Sequence, residues 1–207
     1  MAGGFRVREQ KFICGKDYAT AETMQVDFFE ITEQQHKAST RKKKELASSI
    51  AKEAYNFRQS GRYLELLIQR NFRRTDYSVT YTYDNDHLPA PGDMESVDKD
   101  FSAAMKKLYR MCDKAGIAHP RWAEVAEYTT YVDGKWVGRH HHHIVMQHTE
   151  GLTREMVEKA WGGRGMARCE PLNFDHGYIT GLAKYIVKNV RCKRHWRQSR
   201  GLKPPKM

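Results

Sequence analysis

The stretch RWAEVAEYTTYVDGKWVGRHHHHIVM, residues 121–146, constrains the fold more than any other part of the chain. Two runs rich in β-branched and aromatic residues flank Asp133-Gly134. That dipeptide suits the positive-φ positions of a tight type I′ turn, so the runs are expected to pair as an antiparallel hairpin. The rest of the chain must then supply strands that extend the hairpin and helices that cover it.

The second run carries four consecutive histidines, His140 to His143. An affinity tag would sit at a terminus, whereas this run lies deep inside 207 residues. Strand side chains alternate, so His141 and His143 share one face, and His140 and His142 share the other. Two imidazoles on one face can chelate a single ion and leave room for a ligand from the neighbouring strand. That strand offers Glu124 and Glu127. A strict two-residue turn sets Glu127 opposite His140 and Glu124 opposite His143. A three-residue loop or a bulge sets Glu127 opposite His141, and spacing alone leaves the register open. Two histidines and one carboxylate would leave coordination positions for a substrate oxygen.

The remaining elements follow from periodicity. FRVREQKFICG and MQVDFFEIT read as short strands, followed by a basic run from Lys37 to Lys44 that is either a solvated loop or a phosphate contact. Residues 45–70 read as a helix, with Leu46, Ile50, Ala54, Phe57, Leu64, Leu67 and Ile68 on its apolar stripe. Residues 77–83 alternate as a strand. Residues 95–114 form a helix with Val97, Phe101, Ala104, Leu108 and Met111 on one side, stopped by Gly116. A short helix opened by Thr153 spans 152–162, GMARCEPL is a strand, and residues 176–190 are a last helix. This order predicts an α+β domain around a mainly antiparallel sheet.

The last helix buries Ile179, Leu182, Ala183, Ile186 and Val190, and opposite them it groups Tyr185, Gly181, Lys188 and Lys184. A phenol with its ordinary pKa of about 10 is a weak nucleophile at neutral pH, and an adjacent ammonium favours the phenolate. Past Asp175 the chain has no acid, while Arg191, Lys193, Arg194, Arg197 and further cations follow. With a net charge of +11, this end is expected to meet a polyanion such as nucleic acid. The mean hydropathy of -0.79 indicates a small core in a charged shell. No run of about 18 apolar residues is present and the N-terminal stretch lacks a signal-peptide centre, so no membrane contact and a cytoplasmic location are expected. Cys14, Cys112, Cys169 and Cys192 form no CxxC pair and are expected to be reduced.

Taken in order, these pieces resemble one family. GRHHHHIVM resembles the Gly-Arg-x-His-hydrophobic-His strand of the HUH endonucleases, with His142 at the hydrophobic position. GLAKYIVKN resembles their tyrosine helix, with Tyr185 at the nucleophile position. YSVTYTYDNDHLP resembles the first motif of phage and plasmid rolling-circle replication initiators. VAEYTTYVDGKWVGR resembles their acid-bearing strand, with Glu127 at the acid position. AWGGRGMARCEPL and KRHWRQSRGLKPP fit replication proteins of the phage and prophage type.

The resemblance implies a palm of about five antiparallel strands, similar to an RRM, with the His pair on a central strand. It implies a nuclease domain over residues 76–207 with a basic tail, and an N-terminal extension over 1–75, with a basic loop and helix, packed on it. It implies Mg²⁺ or Mn²⁺ held by His141, His143 and Glu127. Tyr185 would attack, aided by Lys188 or Lys184, leaving a 5′-phosphotyrosine and a free 3′-hydroxyl on single-stranded DNA at an origin or hairpin. Gly181 stands one turn before Tyr185, so the chain is expected to use one tyrosine, with Tyr178 left to packing or DNA contact. Arg139, Arg191, Lys193, Arg194 and Arg197 would bind DNA. No helicase motif is present, so a host helicase and polymerase are expected partners; the oligomeric state is not legible. Tyr81, Tyr83 and Trp136 either stack bases or pack the core. Two other readings stand beside this one: a non-catalytic single-stranded nucleic-acid-binding module, and a metal-dependent hydrolase that uses water.

Overall fold

Strand β1 (Gly4–Ile13) pairs along its whole length with β2 (Glu22–Ile31) in a two-stranded antiparallel ladder. The computed structural model describes this hairpin and residues 50–127, 131–132, 135–136, 139–172 and 196–205. The basic run 37–44 lies outside the described residues.

The main sheet has five strands in the order β8 (Ala167–Pro171), β3 (Tyr77–Thr82), β7 (His141–Met146), β4 (Trp122–Glu127) and β9 (Arg197–Gln198). All neighbours are antiparallel, so the α+β architecture expected from the sequence is present. The histidine strand is central. Three described helices accompany the sheet: α1 (Ile50–Asn71), α2 (Met94–Ala115) and α3 (Arg154–Ala160).

Local chemistry sets the helix ends. The Asp93 side chain accepts from Ser96 N at 3.1 Å and caps α2, while Gly116 closes it at φ 67°. Thr153 caps α3 by accepting from Met156 N at 3.2 Å.

Strand alternation sorts two cores. On one face, hereafter the rear, Tyr77, Val79, Tyr81, Ile144 and Met146 pack against Phe101, Ala104 and Leu108 of α2 and Val157 and Ala160 of α3. On the front face, Ala123, Val125 and Val145 pack against Leu64, Leu67 and Ile68 of α1, joined by Phe72, Leu172 and Leu202. The helix at 50–71 therefore covers part of the front face. Among the described residues no helix is long and apolar enough to cross a membrane.

The hairpin register is resolved. Strands β5 (Tyr131–Val132) and β6 (Lys135–Trp136) pair Val132 with Lys135, which fits a two-residue connection at Asp133-Gly134. Nearer the sheet, Glu127 pairs with His141 and not with His140. One extra residue therefore enters the second strand between Trp136 and His141. A one-residue slip exchanges the faces of every side chain, so this insertion decides which glutamate joins which histidines.

The crossovers have a common hand. Strands β3 and β4 are parallel, separated by β7, and α2 connects them across the rear. Strands β7 and β8 are parallel, separated by β3, and α3 connects them across the same face in the opposite lateral sense and with opposite strand direction. Both connections therefore share one handedness, and sheet twist favours the right-handed sense for such connections.

Gly165 makes the closest backbone approach. Its φ is 139°, and a Cβ there would lie 2.3 Å from Thr82 O and 2.4 Å from Asp84 N. The segment 164–166 is bonded to this strand end through Thr82 N to Met166 O at 2.8 Å and Asp84 N to Arg164 O at 2.9 Å. Gly165→Ala is expected to cost at least about 2 kcal/mol, because the clash is with backbone that cannot rotate away. Urea unfolding checks it; a loss under about 0.5 kcal/mol would show that the segment has room to shift.

Candidate active site

His141, His143 and Glu127 share the front face at the end of the sheet beyond the α1 contact. His143 Nε2 lies 2.9 Å from Glu127 Oε2, and the two side chains are 15% and 19% exposed. They are thus half-sheltered yet open to a substrate. The His141 and His143 rings lie 6.1 Å apart, and Thr82 Oγ1 bonds His141 Nδ1 at 3.0 Å. That bond fixes one nitrogen of His141 and leaves Nε2 for another ligand. Burial, then the neighbouring His143, push the His141 imidazole below its usual range. Near neutral pH it is the uncharged base that a metal requires.

The chemistry of this set fits a divalent cation. The 2.9 Å between His143 Nε2 and Glu127 Oε2 is near the separation of adjacent ligand atoms around an octahedral ion with bonds of about 2.1 Å, which is about 3.0 Å. Among the described residues no group of three or more His, Cys, Asp or Glu side chains is placed to hold a metal ion. His143 and Glu127 face each other at hydrogen-bond distance, and His141 is turned toward Thr82.

The rear face holds a second histidine arrangement. His142 and Glu124 are fully buried, and His142 Nδ1 lies 2.7 Å from Glu124 Oε1. Arg197 Nε donates to Glu124 Oε2 at 2.9 Å, and Arg197 Nη1 lies 2.7 Å from Asp98 Oδ1. Burial opposes ionisation of Glu124, but the His142 imidazole and the Arg197 guanidinium outweigh it and hold the carboxyl below the usual range. The His142 ring stacks on Phe101 at 5.3 Å, and its Nε2 lies 3.4 Å from the Tyr83 hydroxyl. The four-histidine run thus divides by parity: His141 and His143 stay accessible in front, while His142 is a core residue with a dedicated carboxylate partner.

His140 is also buried, and burial pushes its imidazole down to about 4. An unfolded imidazole titrates near 6.5, so the unfolded chain takes up this proton first. Stability from this group is complete above about pH 6.5 and is lost as pH falls toward about 4, up to about 3 kcal/mol. Urea unfolding at pH 7 and pH 4.5, with chelator present, should show a steeper acid loss for the wild type than for His140→Gln. Parallel losses would exclude His140 as the source.

Several expectations change in the structure. Tyr81 and Tyr83 do not stack bases: they are 0% and 1% exposed, and Tyr81 stacks on Trp161 at 4.9 Å. Arg197 is not a surface arm. Its Nε and Nη1 are committed to Glu124 and Asp98, and the guanidinium lies 4.6 Å over the Phe101 ring. Arg139 donates Nη1 to Tyr83 O at 2.9 Å and Nη2 to Asn85, tying the strand entry to the loop after β3. Tyr185, Lys184, Lys188, Arg191, Lys193, Arg194 and Tyr178 lie outside the described residues, as does the side chain of Trp136.

Thr82 and Asp98 join this machinery without a strong sequence mark. Parity puts Thr82 opposite the face of Tyr81, but its pairing with His141 depends on the β3–β7 register. Asp98 lies on α2, and only the tertiary fold brings it to Arg197.

Comparison with known proteins gives one match. Residues 76–190 match the family model of the ORF2-type replication-associated proteins, which takes in β3 through β8 and the stretch bearing Tyr185. No curated protein and no solved structure matches the chain.

Proposed function

The chain belongs to the ORF2-type replication-associated protein family, of replication-initiator type, and from that premise we propose that it nicks single-stranded DNA by attack of Tyr185. The observation that carries this reading is the placement of the two edge strands of the main sheet. Strand β8 is one edge of the sheet and β9 is the other, and the two are parallel. Parallel strands of one sheet are ordinarily joined by a connection that crosses a face of the sheet. The two crossovers through α2 and α3 share one hand and occupy the rear. A crossover from β8 to β9 of that same hand falls on the front, the face of His141, His143 and Glu127. Such a crossover would bring the stretch with Tyr185 to the accessible histidines and away from the buried one.

Each group then has a task. His141, His143 and Glu127 would hold Mg²⁺ or Mn²⁺. When bound, the ion supplies Lewis-acid neutralisation of charge on a non-bridging phosphate oxygen. Tyr185 Oη attacks phosphorus in line, the P–O3′ bond breaks, and the phenolic proton is balanced by protonation of the departing 3′ oxygen. The products are a 5′-phosphotyrosine and a free 3′-hydroxyl, and attack by a 3′-hydroxyl on the phosphotyrosine reverses the step. Lys188 or Lys184 stabilises phenolate or phosphate charge. Arg191, Lys193 and Arg194 contact the DNA backbone. A host helicase and polymerase would complete replication.

An adduct assay tests this. The protein is mixed with 3′-end-labelled single-stranded DNA from its own replicon and Mn²⁺, then run on a denaturing gel. Label migrating with protein is expected, and EDTA should abolish it. Cleavage without an adduct would replace the tyrosine reading with a water-using hydrolase. Tight binding with neither product would favour a binding module.

A further inference from the structure

On the rear of the sheet, away from the His pair, a groove of about 410 Å³ opens between α2 and the edge formed by β4 and β9. Phe101, Met105, Tyr109 and Trp122 supply its apolar lining, and Lys106 and Arg197 its cations. We infer that this groove takes a nucleobase of the single-stranded DNA, so that the strand is gripped on the rear face as well as the front. The inference rests on the DNA-nicking reading and adds a second contact site to it.

Three observations converge on a nucleotide. First, the lining holds three aromatic rings, of which Trp122 is the partly exposed one not stacked face to face on a neighbour. Phe101 and Trp122 meet edge to face at 4.9 Å, and Trp122 Nε1 donates to Tyr109 Oη at 2.9 Å. The polar atom of the Trp122 ring is thereby satisfied, which leaves a half-exposed ring surface suited to stacking. Second, Arg197 retains one donor. Its Nε and Nη1 bond Glu124 and Asp98, while Nη2 is buried with no hydrogen-bond partner among the described residues. A buried unsatisfied donor is costly, and a base carbonyl or phosphate oxygen in the groove would satisfy it. Third, a cationic ridge continues from the groove. Lys106, Arg110 and Lys114 are exposed at successive turns of α2, about 6 Å apart along the axis. The acid among them, Asp113, is engaged with His119 at 2.8 Å. Rings at a groove beside a row of cations match the alternation of base and phosphate along one strand.

An apolar peptide would use the rings but not the cations, and a duplex would use the cations but could not insert a stacked base. The overall charge of +11 also favours a polyanion.

The test uses the full chain with two labelled oligonucleotides: a short one spanning only the cleavage site, and one extended enough to reach the rear face. Two variants separate groove from charge. Ser102→Trp fills the groove, which Ser102 helps line, without changing charge. Lys106→Glu reverses one cation. Both are expected to weaken binding of the extended oligonucleotide about tenfold by anisotropy while cleaving the short one at the wild-type rate. With 5-iodouracil in the extended strand, photo-crosslinks should map to Trp122 or Tyr109. If both variants bind the extended strand as the wild type does, the proposal is overturned and the nicking reading stands. If Lys106→Glu alone weakens binding, the contact is general surface charge and the groove proposal falls. If the wild type binds neither oligonucleotide, both readings fall together.

Discussion

Tyr185→Phe is expected to reduce strand cleavage by at least about 10³-fold and to remove the protein–DNA adduct entirely. The change deletes one oxygen and keeps the ring, so stability should stay within about 0.5 kcal/mol. No second tyrosine stands four residues before it to take over, because that position is Gly181. Tyr178 is the tyrosine seven residues earlier, so Tyr178→Phe is the necessary control and should leave the adduct intact. Metal binding should also be unchanged, since His141, His143 and Glu127 lie on strands β7 and β4 and not on the tyrosine stretch. Single-turnover cleavage on a denaturing gel, with Mn²⁺ affinity measured in parallel, reads both halves. An adduct that persists in Tyr185→Phe and disappears in Tyr178→Phe would transfer the role to Tyr178. Cleavage persisting without an adduct would mean that water attacks.

The front-to-rear division of the histidine run shows how far sequence can lead. Alternation alone pairs His141 with His143, because strand period is an intrinsic backbone property. The choice between Glu124 and Glu127 is not legible that way. It depends on one extra residue between Trp136 and His141, and a bulge has no obligatory sequence signature. The resemblance favours Glu127, and the register places Glu127 beside the accessible histidines. Periodicity locates α1, α2 and α3 because each presents a stripe or cap chemistry within a few residues. The role of Arg197 is illegible for the opposite reason. In a stretch with no acids it looks like a phosphate-binding cation, and its partners Glu124 and Asp98 are distant in the chain. Tyr81 and Tyr83 carry the same ambiguity, since aromatic alternation marks a strand without stating which face meets a helix.

That division makes Glu124 and His143 opposites in experiment. Glu124→Ala is expected to cost about 3–5 kcal/mol, since it leaves the Arg197 guanidinium in a sheltered site without its main counter-charge and deprives buried His142 of its acceptor. For a chain of this size that loss corresponds to roughly 6–20 °C in Tm, and it is a large part of the stability of an ordinary domain. Glu124→Gln keeps the shape and one acceptor, so its cost should be nearer about 1–2 kcal/mol. His143→Ala should behave in the reverse manner. Its side chain is partly exposed and its partner Glu127 can rehydrate, so stability should change by less than about 1 kcal/mol, while cleavage falls by at least about 10²-fold. Thermal unfolding and adduct formation on the same preparations decide it. If Glu124→Ala melts with the wild type, the rear network does not hold the histidine strand. If His143→Ala melts early and cuts normally, the accessible histidines are structural and the chemistry lies elsewhere. The adjacent residues His142 and His143 give the sharpest comparison, because they share a backbone and differ in the face they serve.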